Sequence, residues 1–178
     1  MEKSRIKRIR RKFFLPIFNF LFSRKTRMWG LKRFVLKLAN VNIASTIKVV
    51  DGLIIWDVVN LTVGEVKLIG MVFSVYGSGT CIIGDKCDIG PDVSVLSGSH
   101  DIGGTDRRAG QGKHYTIVIG NGVWIGGRST LYEDIAVGDS SIIAAGSLVN
   151  KNVVPNCIVG GVPAKIIRTL TEYFRKNP

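Results

Sequence analysis

Two histidines and three cysteines in 178 residues are few, and each shortage closes off a chemistry. His100 and His114 are the only imidazoles, so one copy of the chain cannot supply the three histidines of a catalytic zinc centre, and sharing across subunits would have to complete one. Cys81, Cys87 and Cys157 match no zinc or CxxC spacing, and their odd number suits a reducing compartment better than a disulfide framework. Long hydrophobic runs are missing too. The longest apolar stretch, residues 13–22, contains Pro16 and Asn19 and is too short to span a bilayer. "SRKTRMWG" follows it where a secretory leader would need small residues, so the main domain is expected to be cytoplasmic.

Acidic residues are scarce in one place only. Residues 1–37 hold thirteen Lys/Arg and a single acid, Glu2, whereas the rest of the chain holds twelve of each sign. The net charge of +12 therefore belongs to an N-terminal arm. With the basic residues confined there and no recognised binding motif, nucleic acid is not an expected partner. The arm alternates basic clusters with aromatic and aliphatic ones, which suits peripheral contact with an anionic membrane surface or an acidic partner. The same composition suits a pair of short helices whose apolar sides cover the end of a core while the basic side chains are solvated. Composition leaves both readings open.

What the chain has in abundance is a six-residue period. Aliphatic residues fall at Ile83, Ile89, Val95, Ile119, Ile125, Leu131, Val137, Ile143 and Val149, every one a multiple of six from the first. Glycine directly follows five of the nine, at 84, 90, 120, 126 and 138, where 21 glycines in 178 residues would place about one by chance. Two positions before each aliphatic sits a small or β-branched residue, Cys81 and Cys87 among them, which gives these thiols a structural role as inward-facing residues. A helix needs a period of 3.6 and does not tolerate this much glycine; a short strand closed by a tight turn fits six. Three such faces make one coil of a parallel β-helix, and each coil buries its apolar corner against the next. Counting backwards in phase reaches Met71, Val59, Leu53 and Ile47, with breaks at Gly77 and Glu65, so the coil is expected to begin near Val41.

Residues 101–118 are polar and glycine-rich through Lys113, and the repeat resumes at Ile119 in its original phase. An exposed loop that leaves after His100 and re-enters beside it explains both facts. Beyond Val149 the repeat stops, and Pro163 is expected to open a helix with Ile166, Ile167, Leu170 and Phe174 along one apolar stripe. The expected organisation is a basic amphipathic arm over 1–40, an all-β left-handed parallel β-helix over 41–162 with a loop over 101–118, and a C-terminal helix over 163–178.

The segments "IGNGVWIGG" and "IIAAGSLVNKNVVPNCIVGGVPAKIIR" resemble the hexapeptide-repeat acyltransferases, most strongly from about Ile83 to Arg168. Within that group the chain is similar to the maltose and galactoside O-acetyltransferases and to enzymes that O-acetylate capsular or lipopolysaccharide sugars. The resemblance implies the left-handed sense of the coil, against the usual right-handed crossover. It also implies a homotrimer with active sites between subunits, acetyl-CoA as donor substrate, a saccharide acceptor and no metal.

In that family a histidine just before the protruding loop is the catalytic base, and His100 stands at the matching place. The chemistry is sound in its own right, because a sugar hydroxyl is a poor nucleophile and a neutral imidazole can take its proton as the oxygen attacks a thioester. Acetyl-CoA contacts in the family map onto Gly127, Ala145, Asn150, Lys151, Lys165 and Arg168. Small residues at 127 and 145 admit an extended pantetheine arm, and the three basic residues supply charge for phosphates. Trp124 matches the family's Val-Trp-Ile-Gly stretch, where it either flanks the site or packs.

His114 is read as structural or as a substrate-positioning group, and either Asp101 or a backbone carbonyl can orient an imidazole here. Sugar-contacting Asn and Asp of the galactoside enzymes correspond by spacing to Gly70 and Ser78, so simple galactosides and maltose are not the expected acceptors. The loop arginines Arg107 and Arg108 suit an acidic glycan or are merely solvated. The function expected is O-acetylation of a surface polysaccharide or its precursor. Transfer to a small acceptor such as serine or an antibiotic, a metal hydratase on the same coil, and a non-catalytic trimeric scaffold are the alternatives.

Overall fold

A computed structural model describes residues 2–22, 27–56 and 59–171. Two helices, α1 (Glu2–Phe22) and α2 (Trp29–Leu38), precede a stack of short strands. The strands form three mostly parallel sheets, one per face of a triangular coil. The first face runs through Asn60–Val63, Thr80–Ile83, Thr116–Ile119 and Ile135–Val137; the second through Leu68–Ile69, Asp88–Ile89, Trp124–Ile125 and Ile142–Ile143. The third runs through Leu53–Ile55, Phe73–Tyr76, Ser94–Leu96, Thr130–Tyr132 and Leu148–Val149.

The six-residue period appears here as stacking. Ile83 pairs with Ile119 and Ile119 with Val137; Ile89, Ile125 and Ile143 align on the second face, and Val95, Leu131 and Val149 on the third. All nine are buried, and so are all nine residues two positions earlier. A strand presents alternate residues to one side, so positions i and i−2 both point inward. Each coil then turns a corner, and the corners are tight. A side chain on Gly126 would place its Cβ 2.5 Å from the backbone nitrogen of Ala145 in the next coil.

The backward count reaches buried residues at Ile47, Leu53 and Val59, but Met71 is exposed. The early coils are longer than the later ones, since Val63 pairs with Ile83 whereas Ile119 pairs with Val137. The extra length sits at one corner, after Ile55 and again after Val75. The inward residues there are Val63, Ile69 and Val75, all buried, which moves the phase by two and explains the breaks at Glu65 and Gly77.

Three further expectations change. Residues 98–114 leave the coil as an antiparallel hairpin, Gly98–Ile102 against Ala109–His114, so the excursion begins before His100 and ends before Thr116. The segment expected to open a C-terminal helix is instead a strand, Ala164–Thr169, antiparallel to Cys157–Gly161. Gly160, Gly161 and Pro163 form a tight turn that folds the chain back, and the β-branched pair Ile166–Ile167 extends along the sheet edge. Ile166 and Ile167 are exposed rather than one buried stripe; Phe174 lies outside the described residues.

The arm covers the first coil, and some of its basic side chains are buried rather than solvated. Leu15, Phe18 and Phe22 of α1 join Val35, Leu36 and Ala39 in the core. A solenoid's first coil leaves a row of peptide groups with no neighbouring coil. Arg11 donates to the carbonyls of Val59 (2.7 Å) and Trp56 (3.2 Å). Lys32 donates to Val49 (2.9 Å) and Val50 and lies over the Trp29 ring. The Asn19 amide accepts from the Leu53 N–H (3.0 Å) and donates to its carbonyl (3.1 Å), as a strand in a preceding coil would. Burial pushes the Lys32 ammonium down, with Asp51 opposing.

All three cysteines are buried free thiols. Burial pushes the Cys81 thiol up to about 12 from 9.0. An unfolded chain releases that proton near pH 9 while the native state keeps it, so this part of the stability is intact below pH 9 and lost as pH rises toward 12. Urea midpoints across that window should fall less steeply in Cys81→Ala than in the parent; equal slopes would show that the thiol does not contribute.

Candidate active site

The lengthened corner and the hairpin arise at the same edge of the coil, and together they enclose a concavity of about 600 Å³. Its walls include Trp56 and Tyr76 from the two long corners, Ser78, and His100 and His114 from the hairpin. Gly112 lies opposite His100 and Gly98 opposite His114, so both imidazoles share one face of the hairpin with only glycine across from each. That leaves room for a ligand beside them. His100 is exposed on this face. His114 is fixed, its Nδ1 2.6 Å from the Ser78 hydroxyl.

Asp101, a candidate orienter of an imidazole, pairs with Lys113 at 2.6 Å. Residues adjacent on a strand point to opposite sides, which puts Asp101 across the ribbon from His100. The hydrogen bond to Asp101, followed by its charge, raises the Lys113 ammonium above its usual range. Tyr132 donates to Ser99 at 3.0 Å and meets Tyr115 edge-on at 5.4 Å between ring centres. These contacts anchor the root of the hairpin to the coil, and the bond to Tyr132 raises the Tyr115 phenol.

The six residues matched to acetyl-CoA contacts are spread over the coil. Gly127 and Ala145 stack at the corner between the second and third faces, where the Gly146 N–H donates to the Gly127 carbonyl at 2.9 Å. Lys165 lies opposite Gly160 and Arg168 opposite Ile158 on the terminal hairpin, which extends the second face. Asn150 and Lys151 follow Val149 at the corner after the third face, the same edge from which the His100 hairpin springs. One chain therefore holds its small-residue corner on one side of the third face and His100 on the other.

Trp124 is exposed on the second face, in a separate groove with Leu170 and Thr171, and neither packs in the core nor approaches His100. Gly70 turns a corner against Gly90, away from the concavity, whereas Ser78 lines it. Arg107 and Arg108 are exposed at the hairpin tip. Among the described residues no group of three or more His, Cys, Asp or Glu is placed to hold a metal ion. Trp56 and Tyr76 were not singled out from sequence. Their signal is visible once the early coils are read as longer than the later ones, because each directly follows the last inward aliphatic of its third-face strand.

Residues 116–151 match the bacterial transferase hexapeptide family (six repeats). Galactoside O-acetyltransferase of Escherichia coli is 32% identical over 113 residues, 64% of this chain and 56% of that protein. Serine acetyltransferase 2 of Arabidopsis thaliana is 39% identical over 97 residues, 54% of this chain and 28% of that protein. The chain thus spans about half or less of the curated relatives it matches. Among solved structures, a galactoside acetyltransferase in complex with coenzyme A superposes with a TM-score of 0.69 at 27% identity, covering 98% of this chain and 86% of that one. A maltose O-acetyltransferase from Clostridium difficile shares the fold, with a TM-score of 0.72 at 23% identity over 96% of this chain and 89% of that one. The stacked six-residue corners and these likenesses agree: the chain folds as a left-handed parallel β-helix, and residues 116–151 of it carry the repeats of the bacterial transferase hexapeptide family.

Proposed function

We propose that the protein is an acetyl-CoA-dependent O-acetyltransferase acting in the cytoplasm on a sugar hydroxyl of a surface polysaccharide or its precursor, with His100 as general base. The observation that carries this reading is His100 itself, exposed on the glycine-backed face of a hairpin and opening into a concavity walled by Trp56 and Tyr76. Aromatic faces beside a base suit the apolar side of a sugar ring, and an open concavity admits one residue of a long chain. The acceptor oxygen attacks the thioester carbonyl as His100 takes its proton, and the C–S bond breaks to release the thiol of coenzyme A, which recovers a proton.

Gly127 and Ala145 offer a corner without bulky side chains for the pantetheine arm. Lys151, Lys165 and Arg168 supply charge for phosphates, and Asn150 supplies a side-chain amide. Because that corner and His100 lie on opposite sides of the third face, a complete site needs the corner of one copy beside the hairpin of another. A homotrimer meets that need, and sedimentation equilibrium should return three times the 19.5 kDa chain mass.

The deciding experiment is free-thiol release from acetyl-CoA with bacterial polysaccharides and small acceptors as a panel. Release that requires a polysaccharide supports the reading. Full-rate release with serine or chloramphenicol would move the acceptor to the small-molecule class, in which serine acetyltransferases and the chloramphenicol acetyltransferase of Agrobacterium fabrum are also similar to this chain. Bound acetyl-CoA with no release for any acceptor would favour a non-catalytic role.

A further inference from the structure

Helix α1 has two apolar stripes, and the coil uses one. Leu15, Phe18 and Phe22, with Arg11, face the first coil and are buried. At 100° per residue, Ile6, Ile9, Phe13, Ile17 and Phe20 fall within one sector on the opposite side of the same helix. Phe13 is 62% exposed and Phe20 84% exposed, against 0% for Phe18. Arg5 and Lys12 border this outer stripe on one side and Arg10 on the other. Helix α2 repeats the arrangement, with Val35 and Leu36 buried while Leu31 and Phe34 are exposed.

We infer that the outer face of the helical cap docks peripherally on an anionic lipid bilayer, with the aliphatic and phenyl side chains entering the interface and the flanking arginines and lysines meeting lipid phosphates. The charge argues for lipid over a second copy of the chain. Residues 1–37 contain thirteen basic residues and one acid, so pairing two caps face to face would bring like charges together, whereas an anionic surface neutralises them. No helix among the described residues is long and apolar enough to cross a membrane, and α1, about 32 Å long, is suited to lying in the interface. Buried Arg11 and Lys32 are engaged with the coil, so the lipid-facing charge comes from the exposed basic residues. The inference does not rest on the acetyl-transfer reading, and its test needs no acceptor.

The test is cosedimentation of the full chain with vesicles of phosphatidylcholine alone and of equal parts phosphatidylcholine and phosphatidylglycerol, at low and high salt. Binding at least about tenfold tighter to the anionic vesicles, and weakened by salt, is expected. The double variant Phe13→Ser/Phe20→Ser should lose about tenfold or more of that affinity with an unchanged Tm, because neither ring packs in the core. Arg5→Glu/Arg10→Glu should lose the preference for anionic lipid. Equal binding to both vesicles, no binding, or unaltered binding in the phenylalanine variant would overturn the inference. Self-association abolished by that variant, without lipid binding, would overturn it in favour of a second copy.

Discussion

His100→Ala is expected to lower the rate of acetyl transfer by roughly 10²- to 10⁴-fold, the range for loss of a positioned general base, while acetyl-CoA binding and Tm stay near the parent values. The separation follows from where the side chain sits. His100 is exposed on the hairpin, opposite Gly112, and contributes nothing to the buried core. Its removal leaves the coil intact and strips the concavity of the imidazole free to meet an acceptor. His114 serves as the internal control, because its Nδ1 is held by Ser78. A base and a positioning group separate in the kinetics: His100→Ala should fall mainly in kcat, and Ser78→Ala, which releases His114, mainly in KM. Unchanged turnover in His100→Ala, with an acceptor that supports the parent enzyme, would remove the histidine from the mechanism.

The second large effect is on stability. Phe18→Ala is expected to cost about 3–5 kcal/mol, a fall in Tm on the order of 10 °C for a domain of this size, whereas Phe13→Ala on the same helix should change Tm by little. Phe18 is fully buried, its ring 5.3 Å from that of Phe22, where α1 closes the first coil. Truncation there opens a cavity at an end of the solenoid, where no preceding coil can relax into it. Phe13 faces outward and meets Phe14 edge-on at 5.1 Å. Thermal melts of the two variants side by side would test the two-sided reading of α1, and equal losses would refute it.

The coil from Ile83 to Val149 is legible in the sequence because its contacts repeat. Each inward aliphatic stacks on its counterpart one coil away, so the packing rule is written again with every coil. The arm and the terminal hairpin lack that redundancy. "GGVPAKIIRTL" carries the i, i+3, i+4 spacing of a helix as well as the β-branched density of a strand. The free edge of Cys157–Gly161 decided the matter, since a strand at Ala164–Thr169 satisfies peptide groups that a helix would leave open. Likewise, composition left the arm's cations to solvent, a membrane surface or an acidic partner, and the carbonyls of the first coil recruited Arg11 and Lys32.

The candidate site divides in the same way. Residue types and spacing alone determined the coil and the excursion beside His100, because a period and a break in it are properties of a string; the role proposed for that imidazole came from the family resemblance. Tertiary structure decided what surrounds that imidazole. Trp56, the Tyr76–Ser78 segment and His114 come from three separate stretches of the chain yet line one concavity, because the longer early coils and a hairpin release their extra length at the same corner. It also decided that Gly127 and Ala145 lie across the third face from His100, since successive corners of a triangular coil point in different directions whatever their order in the sequence.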